Sequence, residues 1–69
     1  MFNRRPTLRN RNLLVNLMSG NALSGVCTHE TRTALILRAV TVHEPGNDPA
    51  PADGEVLIDR VSVDFIQLL

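Results

Sequence analysis

Turn-forming clusters cut this chain into short apolar pieces. Ser19-Gly20-Asn21, His29-Glu30-Thr31-Arg32 and the proline- and glycine-rich stretch 43–54 leave segments of roughly five to ten residues between them. Leu13 to Met18 reads as a first strand. Ala22 to Thr28 lies across a tight turn from it and reads as its hairpin partner. Gly25 interrupts that second strand, and a mid-strand glycine marks a bulge or a sharp bend. Thr33 to Val42 is the longest strand candidate. Extended, it would span roughly 33 Å, more than a small barrel is wide, so it has to bend and serve two parts of a sheet. A helix competes there because Ala34, Leu35 and Leu37 favour one. Thr33, Val40, Thr41 and Val42 oppose it, and no capping pattern precedes the run.

Residues 43–54 carry three prolines and two glycines, which predicts a surface loop with no regular element. Glu55 to Ile58 reads as the fourth strand and Asp59-Arg60 as a turn. Val61 to Leu69 reads as the fifth strand. Val61, Val63 and Phe65 alternate there with Ser62 and Asp64, which places Phe65 on the buried face. The expectation is an all-β domain over residues 13–69: a small, five-stranded, strongly bent antiparallel barrel with a long loop at 43–54.

A chain of 69 residues buries only about 60% of the surface its unfolded form exposes. Small folds therefore usually add a disulfide, a metal or self-association. Cys27 is the one cysteine, so no internal disulfide forms. Self-association or docking on a larger partner is what remains, and the apolar final strand would otherwise be an exposed pairing edge.

Charge is unevenly placed. Residues 1–12 hold Arg4, Arg5, Arg9 and Arg11 and no acid, whereas residues 13–69 hold three arginines against seven acids. A basic N-terminal arm on an acidic body seeks a negative partner, either nucleic acid or an acidic surface such as that of a neighbouring copy. With no Trp or Tyr and only Phe2 and Phe65, a stacking platform for single-stranded nucleic acid is not expected. The longest apolar run, Ala34 to Leu37, is far short of a membrane span. Met-Phe-Asn-Arg-Arg-Pro lacks the apolar core of a signal peptide, so the expected site of synthesis and folding is the cytosol.

Little in the sequence suggests catalysis. Cys27-x-His29 supplies two ligands where a metal site needs three or four, and His43 is the only other histidine. Cys27 reads as a small buried residue rather than a nucleophile. Asp59 with Asp64, and Asp53 with Glu55, fall on turns and solvent-facing positions. Gly20-x-x-x-x-Gly25 lacks the Lys-Ser/Thr of a phosphate loop. No catalytic residue, cofactor, metal or small-molecule substrate is expected.

Two resemblances follow from particular residues. Val15-x-Leu17-x-x-Gly20-x-x-Leu23-x-Gly25, followed by Leu35-x-Leu37, resembles the first motif of the Sm and Sm-like (LSm/Hfq) proteins. Gly54-x-Val56-x-Ile58 with Val63-x-Phe65-Ile66 is similar to their second motif. The resemblance implies an Sm-like/SH3-like barrel and head-to-tail assembly. The fourth strand of one copy would pair with the fifth of the next, which places Val56, Ile58, Val63, Phe65 and Ile66 at the intersubunit edge. It also implies an RNA grip that this chain departs from. The loop of the first motif holds no Asp or Asn over residues 29–34, and Asp59-Arg60 stands in place of an Arg-Gly pair. The run Asp53-Gly54-Glu55-Val56-Leu57-Ile58-Asp59-Arg60 with Val63-Asp64-Phe65-Ile66-Gln67 resembles short proteins encoded by bacteriophages, notably phages of actinobacteria. The use of Arg without Lys agrees with a GC-rich genome.

The expected function is accordingly non-enzymatic: a virion component such as a minor capsid, decoration or connector protein. It would bind in many copies to itself or to a larger capsid protein, with Arg4, Arg5, Arg9 and Arg11 gripping an acidic surface or packaged DNA. An Sm-like RNA-binding regulatory ring in the cytoplasm is one alternative. A small phage-encoded modulator of a host protein is another.

Overall fold

The computed structural model describes residues 7–69. They form six antiparallel strands in one sheet: β1 (Asn12–Leu17), β2 (Ala22–Glu30), β3 (Ala34–His43), β4 (Ala50–Ala52), β5 (Val56–Asp59) and β6 (Val63–Leu68). A short 3-10 turn, Arg60–Ser62, joins β5 to β6. The strands run in the order β4-β3-β2-β1-β6, and β5 pairs with the other half of β3. The fold is all-β and strongly bent, of the Sm-like kind. The bent sheet does not close, however, and it has six strands rather than five.

The bend is written into β2 and β3. The first half of β3, Ala34 to Leu37, pairs with β5, and the second half, Val40 to Val42, pairs with β4. Between them the register with β2 slips: Ser24 faces Thr41 but Val26 faces Arg38, so Ala39 and Val40 stand opposite Gly25. Gly25 permits this because an added Cβ would lie 2.8 Å from the Arg38 carbonyl oxygen. Ala39 takes the turn at φ 52°, a left-handed conformation that costs an L-residue about 1–2 kcal/mol. A second bulge follows. Cys27 faces Leu37 and His29 faces Ile36, leaving Thr28 as the extra residue.

Stretch 43–54 is less irregular than its prolines suggest. His43 ends β3, and Ala50–Ala52 form β4, with Pro51 opposite Thr41. Proline is tolerated because β4 is an edge strand and needs no outward amide donor. β2 likewise runs on to Glu30, which shrinks the expected turn to residues 31–33.

The core gathers Leu8, Leu13, Val15, Cys27, Leu35, Leu37, Val40 and Ile58. Leu8 ties residues 7–11, the described part of the expected arm before β1, to the body. Residues 7–11 run beside the second half of β2: the Asn10 amide donates to the Cys27 carbonyl at 2.7 Å, the Cys27 amide donates to the Arg11 carbonyl at 3.0 Å, and the Leu8 amide donates to Glu30 Oε1 at 2.9 Å. Asn12 already belongs to β1. Among the described residues no helix is long and apolar enough to cross a membrane.

Candidate interaction surface

Both edges of the sheet remain open among the described residues. β4 and β5 pair only with β3 on one edge, and β6 pairs only with β1 on the other. The 3-10 turn carries the chain from one edge to the other. It is anchored by the Arg60 amide, which donates to the Thr33 carbonyl at 2.8 Å, and by the Met18 amide, which donates to the Ser62 carbonyl at 2.8 Å.

Large apolar side chains are exposed along this path: Leu57 on β5 (60%), Val61 in the 3-10 turn (91%), Phe65 (53%) and Leu68 (42%) on β6, and Leu69 after it (69%). Scattered apolar exposure is normal, but five such residues on one chain segment that also carries the open strands β5 and β6 mark an interaction surface. Leu57 alternates with Val56 and Ile58, of which the first is half-buried and the second buried. Its outward placement is thus readable from the period of two. For Val61 the same periodicity points inward, but the residue lies in a 3-10 turn and not in a strand, and it is exposed.

Phe65 is where the alternation misleads. Asn16 faces Phe65 and Leu17 faces Val63, so Asp64 is an extra, bulged residue. The bulge moves everything after it to the opposite face. Val63 and Ile66 are half-buried against the core, and Phe65 is turned outward beside Asn16. Ile58, expected at the intersubunit edge, offers that edge only its backbone, because its side chain is in the core.

Of the arm residues, Arg9 and Arg11 are exposed, while Arg4 and Arg5 lie outside the described residues. The two segments in which the resemblance places an RNA grip do meet in space. Arg60 Nε donates to the Thr31 carbonyl at 3.0 Å, and its Nη2 forms an ion pair with Glu30 Oε2 at 3.1 Å. The guanidinium is thereby committed to protein partners. Glu30 also receives the Leu8 amide, so one carboxylate joins the N-terminal segment, β2 and the 3-10 turn.

The other chemistry-bearing residues serve the sheet. Cys27 is buried, and its thiol is pushed above the usual 9.0, first by burial and then by the Glu30 charge. It donates to the His29 carbonyl at 3.3 Å. His43 Nε2 lies 3.1 Å from Ser24 Oγ in a diagonal cross-strand pair. Thr28 Oγ1 lies 3.3 Å from Glu55 Oε2 and 3.1 Å from His29 Nδ1. Among the described residues, no three His, Cys, Asp or Glu side chains are grouped as they would be around a metal ion.

Among solved structures, the chain is similar to one in the crystal structure of the NatC complex bound to CoA. The TM-score is 0.74 with 25% identity, over 86% of this chain and 75% of that one. No family model matches the sequence, and no curated protein matches it.

Proposed function

We propose that this protein is a non-enzymatic assembly subunit whose open strand edges pair with neighbours. The observation that carries the reading is the combination of two unpaired edges, β5 and β6, with exposed Leu57, Val61, Phe65 and Leu69 on the same segment. An isolated domain of this size gains most from covering such edges. β5 of one copy beside β6 of the next is a heterologous contact, and repeated it closes into a ring or multimer. The likeness to a chain of a multi-subunit complex is consistent with a subunit role.

The resemblance of residues 53–67 to short phage-encoded proteins directs the proposal to a virion, as a minor capsid, decoration or connector protein bound to itself and to a larger capsid protein. Sedimentation of the purified chain tests the assembly. The expected result is a discrete multimer that persists at high salt, because apolar contacts and strand pairing resist screening. A monomer at millimolar protein concentration overturns it. Mass spectrometry of purified particles tests the location. Tight, steeply salt-dependent binding of oligoribonucleotide would favour the RNA-binding ring instead.

A further inference from the structure

The sheet has an acidic edge and a basic edge. Glu44, Asp48, Asp53, Glu55 and Asp59 all fall within residues 44–59, a stretch with no arginine or lysine, and this stretch holds β4, β5 and the connections beside them. All five are exposed. Arg9 and Arg11 are exposed at the other side of the sheet, where β1 begins and β6 ends; the Leu69 amide donates to the Asn12 carbonyl at 2.9 Å. The two charged groups also share one level of the molecule. Glu55 precedes Val56, which faces Leu37 just before the bend in β3, and Asp53 follows Ala52, which faces Val40 just after it. Arg11 lies beside Cys27, at the same bend in β2.

From this placement we infer that copies of the chain join in one polarity through an ionic lock, with Asp53 and Glu55 of one copy against Arg9 and Arg11 of the next. The inference rests on the proposed edge pairing and specifies how it is directed. Antiparallel pairing of β5 with the next copy's β6 sets the Val56 end of β5 beside the Leu68 end of β6. Glu55 and Asp53 then approach the arginines next to Leu69. Parallel pairing would instead set Glu55 beside Asp64, acid against acid. Opposite charges at an interface rim fix register and suppress the wrong partner, even where they add little affinity.

Charge reversal at either edge tests this. Arg9→Glu with Arg11→Glu forms one variant, and Asp53→Arg with Glu55→Arg the other; circular dichroism confirms that each is folded. Each variant alone should associate at least about tenfold more weakly than the wild type at low salt. In an equimolar mixture the two should associate with each other as tightly as wild-type copies do, because every contact between one variant and the other is again complementary. Raising salt from about 0.1 M to 1 M, which shortens the Debye length from about 10 Å to about 3 Å, should narrow the gap between variants and wild type. If both variants assemble as the wild type does, the lock is refuted and edge pairing stands. If each variant alone loses assembly and the two do not associate with each other in the mixture, the lock is likewise refuted. If the wild type is itself monomeric, edge pairing falls and the lock falls with it.

Discussion

The Arg60 guanidinium donates to the Glu30 carboxylate at 3.1 Å, joining the end of β2 to the 3-10 turn across 30 residues of sequence. Both side chains are about one quarter exposed, so the pair is neither fully solvated nor buried. An exposed ion pair contributes only about 0–1 kcal/mol. Glu30 does more than pair, since it also accepts the Leu8 amide at 2.9 Å and so holds the core residue Leu8 in place. Glu30→Ala should therefore cost about 2–3 kcal/mol and Arg60→Ala about 1 kcal/mol in urea unfolding. Equal losses for the two would show that the Leu8 tether is unimportant.

Gly25→Ala should destabilise the fold by about 1–3 kcal/mol, the usual cost of overpacking. The new Cβ would meet the Arg38 carbonyl at 2.8 Å and Val40 Cγ2 at 3.2 Å, and the first of these is backbone that cannot swing aside. Chemical denaturation measures it. An unchanged midpoint would mean that the bend can open without loss.

Across the same bend, Ala39→Gly should be neutral or stabilising, by up to about 1 kcal/mol. Ala39 holds φ 52°, where glycine has no steric penalty, and the gain is offset in part by glycine's greater freedom in the unfolded chain. The side chain is exposed, so no packing is lost. Thermal unfolding of the variant checks the sign, and a clear destabilisation would contradict the left-handed turn.

Gly25 also shows what the sequence could reveal. Only a residue without Cβ fits that approach, and so the bend was readable from its position in a strand. The strands themselves were readable from β-branched runs between turn residues. The bulges at Thr28 and Asp64 were not, because neither residue type demands one; their positions follow from how β2 and β6 must curve against their neighbours. Leu8 carries no such signal, because it sits among arginines and a single apolar residue has no periodicity. The Glu30–Arg60 pair depends on β2 and β5 flanking the start of β3, where Leu35 faces Glu30 on one side and Ile58 on the other, and no local pattern encodes such a contact.

The bulge at Asp64 leads to a paired test on β6. Phe65→Asp should leave the monomer within about 0.5 kcal/mol of the wild type, because the ring faces outward, while self-association is lost. Ile66→Asp should unfold the chain, because it places a carboxylate against the core. Circular dichroism separates the folds and sedimentation the assembly states. Unfolding of the Phe65 variant would mean that β6 is in the other register.

Cys27 gives a pH dependence of known sign. Its thiol pKa is raised in the folded state by burial, with the Glu30 charge adding to it. Above an ordinary 9.0, the unfolded chain's thiol ionises while the folded one keeps its proton, so the folded state binds more protons and stability falls as pH rises. Below that value both states hold the proton and the contribution vanishes. Cys27→Ala removes the slope along with the thiol, at a cost in packing that is independent of pH. Urea midpoints from pH 8 to pH 10 should therefore decline more steeply for the wild type than for the variant, and thiol-reactive reagents should label Cys27 slowly until the protein is unfolded. Parallel declines, or rapid labelling of the native chain, would place Cys27 outside the core.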